Sequence, residues 1–147
     1  MSYASRTFRD LIVWQRSHEL VLRVYEITNG LPKEETFGLK SQIRRAAVSV
    51  PANIAEGFRK DGAADKARFL NIAEGSLEET KYYFILCADL NYFDDPALWK
   101  LAEETSKMLN AYRKAILKAH YTAPTIGEDP LDFEQNPDLK IFLTPDS

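Results

Sequence analysis

Residues 41–58, SQIRRAAVSVPANIAEGF, decide how this chain folds. Ile43, Ala47, Val50, Ile54 and Phe58 recur at steps of three and four, which places them on one face of a helix. Ala46, Ala47, Ala52 and Ala55 leave little side chain to hold a neighbour away, so a second helix is expected to approach closely. Pro51 sits in the middle of this run. Inside a helix a proline removes one backbone hydrogen bond and clashes with the carbonyl four residues back, here that of Ala47, at about 3 kcal/mol. Packing around the proline, or a kink, has to offset that loss.

Working outward, about residues 7–29 read as a first helix. Leu11, Val13, Trp14, Leu20, Val21, Val24, Tyr25 and Ile27 cover a broad apolar arc on it, and Gly30-Leu31-Pro32 ends it. Pro32 to Glu35 reads as a short turn before the second helix, 37–60. Asp61-Gly62 breaks the chain. The third helix, 63–91, carries one seam of Leu70, Ala73, Leu77, Phe84 and Ala88, and another of Phe69, Ile72, Ser76, Tyr83, Leu86 and Leu90. Asp95 as N-cap and Pro96 at the first helical position open the fourth, which continues to about residue 120. Four long amphipathic helices with short links predict an all-α, antiparallel up-down-up-down four-helix bundle over residues 1–120. Residues 121–147 read as an extended, non-helical acidic tail.

A helix in such a bundle needs about one apolar stripe, and the first and third show nearly two. Surplus apolar surface marks an interface, so an oligomer is expected, unless the wider face lies beneath the tail. Gly75 sits inside the third helix, where glycine costs about 1 kcal/mol against alanine. With Ala73 and Ser76 it predicts a flat surface against the alanine face of the second helix. Gly75→Leu is therefore expected to be strongly destabilising.

SQIRRAAVSVPANIAEG at 41–57, followed by FLNIAEGSLEE at 69–79, closely resembles the four-helix-bundle proteins encoded in intervening sequences of bacterial large-subunit (23S) ribosomal RNA genes. The resemblance spans about residues 8–120. A more distant likeness is to the accessory variability protein of diversity-generating retroelements. The resemblance implies a homopentamer without established enzymatic activity. The retroelement relatives imply binding to nucleic acid and to a reverse transcriptase. The tail departs from that family's pattern.

A chain of 147 residues suits one domain with a real core, and 45% hydrophobic with 28% charged residues argues against wholesale disorder. No apolar run approaches the roughly 20 residues that span a bilayer, so no membrane partner is expected. The opening MSYASRTFRD lacks the apolar core of a secretion signal. Cys87 is the single cysteine, which excludes an internal disulfide, fits a reducing cytoplasm and reads as a buried structural thiol. The net charge of −3 is uneven: residues 1–60 carry ten Lys/Arg against six Asp/Glu, whereas 121–147 carry Lys140 against six acids.

Catalytic constellations are scarce. The two histidines, His18 and His120, belong to no Glu-x-x-His pair, and no Cys/His spacing suits zinc. Glycine-rich phosphate loops and the GxSxG elbow are absent, so no cofactor is expected. Ser17, His18 and Glu19 diverge by about 100° per step on a helix and cannot form a triad. Arg113 and His120 flank six residues, a pattern seen in helical ribonuclease domains, and offer one enzymatic alternative. The simpler reading of His120 is a cation complementing a helix C-terminus.

The main functional lead is basic. Arg9, Arg16 and Arg23 recur every seven residues, a stripe with about 10 Å between members. Arg6 extends it, and Arg44, Arg45, Arg59 and Lys60 add charge on the second helix. Repeated around a ring, such a stripe would form a multivalent surface for phosphate backbones of RNA or DNA. The competing reading pairs Glu19 and Glu26 with the first-helix arginines, and Arg44 or Arg45 with Glu78 or Glu79. Near Pro51, Ser49 or another polar side chain is expected to satisfy the freed carbonyl, with Asn53 and Glu56 close by. Apolar residues of the tail either dock, so that its acids mask the basic surface and deleting 122–147 raises nucleic-acid affinity, or the tail is plainly disordered. The sequence therefore predicts a cytoplasmic, non-enzymatic oligomeric binding module. A protein-interaction scaffold and an Arg113/His120 ribonuclease are the alternatives.

Overall fold

The computed structural model describes residues 6–122 and 129–145. Four long helices, α1 (Ile12–Thr28), α2 (Leu39–Arg59), α3 (Ala63–Asp89) and α4 (Pro96–Tyr121), are followed by a single helical turn, α5 (Pro137–Lys140). Each long helix packs against its neighbours in the chain, and α1 also packs against α4, which closes a helical bundle. Leu20, Ile43, Ile54, Leu70, Leu77, Leu98, Leu109 and Ile116 fill the centre. None of the helices among the described residues is long and apolar enough to cross a membrane.

The first helix is not continuous from residue 7. Thr7 and Asp10 form a capping box around a 3₁₀ turn, Phe8–Asp10, and Leu11 is then extended at φ −73°, ψ 124°. Leu11 pairs with Leu143 as an isolated antiparallel bridge. The Ile12 N–H donates to Phe142 O at 2.9 Å, and the Thr144 N–H to Asp10 O at 2.8 Å. A partner from the far end of the chain thus overrides the local helical pattern.

The helix α2 runs unbroken through Pro51, which is buried. Beside it, the Asn53 side-chain amide donates to Ser49 O (2.8 Å) and Ser49 Oγ (2.9 Å). Ser49 Oγ lies 2.8 Å from Ser76 Oγ on α3, so a hydroxyl pair stitches the two helices two residues before Pro51, and these bonds serve Ser49 and not the freed Ala47 carbonyl. Gly57 is a place of close approach. A Cβ there would lie 3.2 Å from Phe69 Cβ and 3.3 Å from Lys66 O. Gly75, expected to play this part, is exposed with open space where its Cβ would be. Ala73 is buried and Ser76 touches α2, but Gly75 falls on the outward side of α3.

Two end groups fix the bundle. Asp95 caps α4 by accepting the Leu98 N–H at 3.1 Å, with Pro96 at the first helical position, as the sequence predicts. Lys66, nearly buried, donates from Nζ to Phe58 O (2.7 Å) and Gly57 O (3.4 Å) and so neutralises the C-terminal end of α2. Its ammonium is held below the ordinary lysine range by desolvation, against the attraction of Asp61 and Asp129.

The acidic segment is not wholly non-helical. Asn136 caps α5 by accepting the Asp138 N–H at 2.9 Å. Phe133, Leu139 and Leu143 are buried in the same core as the long helices. The Phe133 ring lies 5.7 Å from Phe58 and 6.0 Å from Tyr112, and the Phe142 ring 5.3 Å from Tyr112. Glu128 and Asp146 of the expected tail lie outside the described residues.

Burial raises the Cys87 thiol from an ordinary 9.0 to about 11, with the Glu35 charge a second cause. A thiol-reactive disulfide reagent at pH 8 should leave the native protein untouched and label one thiol after denaturation. Because the folded value lies above the unfolded one, this stabilising term is complete below about pH 9 and is lost as pH rises through about 11.

Candidate nucleic-acid interface

The seven cations singled out in the sequence differ in exposure and in the partners they meet. Arg9 and Arg16 are exposed on the first turns of the chain. Arg23 is partly withdrawn, its guanidinium 3.5 Å from the Asp95 carboxylate, which joins α1 to the start of α4. Arg59 is exposed, and Lys60 is half-buried with Nζ 5.0 Å from the Phe69 ring centre. Arg45 is exposed.

Arg44 is structural, but its partner is not on α3. Nε donates to Thr28 Oγ1 (2.9 Å), and Nη2 donates to Tyr25 O (3.1 Å) and Asn29 Oδ1 (3.0 Å). Its guanidinium also stacks 4.4 Å over the Tyr25 ring. It therefore closes the last turn of α1, where carbonyls and the helix dipole favour a cation. Glu79 instead accepts from the Tyr83 hydroxyl at 2.8 Å, and Glu78 meets Lys81 at 3.1 Å.

Around Arg44 the fold assembles a cleft of about 550 Å³. Among the described residues its walls hold three cations (Lys40, Arg44, Arg45), two aromatic rings (Tyr25, Phe37), two hydroxyls (Thr36, Ser41) and Val48, with no carboxylate. The local sequence explains the arrangement. After the 3₁₀ turn Lys33–Glu35 the chain turns through Thr36–Gly38 and leaves Phe37 at the surface, 96% exposed. Lys40, Ser41, Arg44, Arg45 and Val48 then follow at steps of one and three on α2, which puts them on one helical face. The last turn of α1 supplies Tyr25. Lys40, Phe37 and Tyr25 were absent from the sequence-based set. The signal that could have found the first was its i,i+4 spacing from Arg44.

A second groove, about 460 Å³, shares Arg45 with the first. It is lined by Gln42, Ser49, Ser76, Glu79 and Tyr83 as well as Ala46. The Tyr83 hydroxyl sits 2.8 Å from Glu79 Oε1 and 3.1 Å from Gln42 Oε1. It has one proton to give, and the Glu79 bond is the first cause of its raised pKa.

The tail reaches a different part of the basic set. Asp129 shares a cleft of about 340 Å³ with Arg59, Lys60 and Lys66. Glu134 accepts from Arg6 Nε at 2.6 Å, which holds its carboxyl below the ordinary range, and Lys140 approaches it at 3.5 Å. Among the described residues, none of the tail lies in the walls of the 550 Å³ cleft.

Arg113 is bound to Glu74 of α3, whose other oxygen accepts from Asn110 Nδ2 at 3.1 Å. His120 is exposed and packs edge-on against Tyr121 at 5.2 Å. Ser17 Oγ donates to Trp14 O at 2.8 Å, and the His18 ring stacks on Trp14 at 5.0 Å. Among the described residues no group of three His, Cys, Asp or Glu is placed to hold a metal ion.

A sequence model described as that of the 23S rRNA-intervening sequence protein matches residues 9–111. No curated protein matches the chain. Among solved structures, the chain is similar to a protein of unknown function from the S23 ribosomal protein family of Bacteroides thetaiotaomicron. The two are 27% identical with a TM-score of 0.65, over 70% of this chain and 99% of the other.

Proposed function

We propose, from the premise that this chain belongs to the 23S rRNA-intervening sequence protein family, that it is a non-enzymatic module that binds RNA or DNA. One observation carries the reading: a chain of net charge −3 keeps a cleft of three cations and two rings with no acid in its walls among the described residues. Arg44 is fixed by three hydrogen bonds, so little side-chain entropy is lost when an anion meets it. Arg9, Arg16 and Arg59 would extend the contact along the backbone, with Asp129 tuning Arg59 and Lys60.

Self-association is part of the same proposal. Leu22, Ile72, Tyr82 and Ile85 are exposed, and Gly75 lies between the last three on the outer arc of α3. A homopentamer, which the family resemblance implies, would repeat the cleft and raise avidity. The up-down-up-down order is supported by the links. The three residues Lys60, Asp61 and Gly62 between α2 and α3 are too few to carry the chain back along a helix about 40 Å long. The ribonuclease alternative would need Arg113 to leave Glu74 or to act while bound to it.

The test is binding of labelled RNA and DNA across a salt series by wild type and by Lys40→Glu combined with Arg45→Glu. Losing two phosphate contacts should lower the slope of log affinity against log salt by about two and weaken binding at least about tenfold. An unchanged slope would remove this cleft from the interface.

A further inference from the structure

Cations alone do not tell a single strand from a duplex, because both present phosphates. We infer that the cleft takes single-stranded nucleic acid, with an unpaired base laid on the Phe37 ring and the adjoining phosphates on Lys40 and Arg45. This rests on the nucleic-acid reading above and adds the class of ligand to it.

Phe37 is the first ground. It is the most exposed large apolar residue of those described, at 96%, and it stands in the wall of a cationic cleft. The Tyr25 ring is already covered by the Arg44 guanidinium, which leaves Phe37 as the open platform. In a duplex the base faces are stacked on one another, so an aromatic platform on a protein meets only bases that are unpaired or splayed out. Lys40 and Arg45 make up the electrostatic half. Neither has an acid partner among the described residues, so both are available to phosphates.

The second groove is the other ground. It begins beyond Arg45 and offers an amide, two hydroxyls, a phenol and a carboxylate: Gln42, Ser49, Ser76, Tyr83 and Glu79. Glu79 would repel a phosphate but accept from the amino group of a base, so this groove suits a base edge and not the backbone. A strand whose phosphate rests on Arg45 would place one base on Phe37 and the next over these groups.

The test compares an unstructured twelve-nucleotide strand with the same sequence as a duplex, using the full chain and fluorescence anisotropy. Wild type should prefer the single strand. Phe37→Ala should lower single-strand affinity about tenfold, leaving duplex affinity and the salt slope unchanged, because the ring carries no charge. Phe37→Trp should restore binding. The residue is at the surface, so an unchanged melting temperature will verify the fold of both variants. Equal affinity for strand and duplex, or a neutral Phe37→Ala, overturns the single-strand inference while leaving the nucleic-acid function standing if Lys40→Glu with Arg45→Glu still weakens binding. No binding by wild type removes both. A fall in solution mass for Phe37→Ala, with nucleic-acid binding unchanged, would assign the ring to a second copy of the chain and overturn the inference.

Discussion

Gly57→Leu should lose about 2–6 kcal/mol of stability and melt well below the wild type, while Gly75→Leu should melt where the wild type does or slightly above. At Gly57 even a Cβ would sit 3.2 Å from Phe69 Cβ and 3.3 Å from Lys66 O, and one of those atoms is backbone. A leucine can be admitted only by moving α3 away from α2. Overpacking of this kind costs about 1–3 kcal/mol where side chains can yield, and more where backbone must move. Displacing Lys66 would also strip the cap from the end of α2, at about 1–3 kcal/mol for carbonyls left unsatisfied. Together these remove about 2–6 kcal/mol from a stability that is about 5–15 kcal/mol for a domain of this size. Gly75 has nothing within 4 Å of its Cβ position, so a side chain there should gain up to about 1 kcal/mol of helix propensity. Thermal and urea denaturation followed by circular dichroism measures both. Sedimentation of Gly75→Leu then shows whether the outer arc of α3 serves assembly. An unchanged melting temperature for Gly57→Leu would refute the close-approach account.

Leu139→Ala should destabilise by about 2–5 kcal/mol, a fall in Tm on the order of 10 °C, although it lies in a segment that reads as an appended tail. Its side chain is fully buried, against α4. Ile141, two residues on, is 70% exposed, and Ile141→Ala should change stability by less than about 0.5 kcal/mol. Truncation after residue 122 should be worse than Leu139→Ala, because it also uncovers Leu11 and Tyr112 and removes the bridge to Leu143. A truncated protein with wild-type stability would show the segment to be an accessory. Gain of nucleic-acid affinity on deletion can thus be interpreted only in a variant shown to remain folded.

Much of the site was hidden for one reason. Arg44 and Arg45 are neighbours in sequence, yet one closes α1 with three hydrogen bonds and the other is open to solvent. Both line the same cleft, 100° apart on α2, and only the placement of α1 decides which one is used up. Arg23 was legible as a member of a heptad stripe, but Asp95, which meets it, comes 72 residues later. Phe37 looked like the first apolar residue of α2. Its exposure follows from the turn at Thr36–Gly38, which starts the helix two residues later.

The sequence by itself determined the four helices, the breaks at Gly30 and Asp61-Gly62, the Asp95-Pro96 start of α4, and the intimate pairing of α2 with α3. These depend on hydrogen bonds four residues apart, on caps and on the size of side chains along one face, all of which are local. Only the tertiary structure decided that Gly57 and not Gly75 is the contact, that Leu11 leaves the helix for Leu143, and that Lys40, Arg45, Phe37 and Tyr25 share a cleft. Each of those depends on how far a helix is rotated about its axis against its neighbours. That rotation is set by the packing of the whole core at once, and no single stretch of the chain carries it.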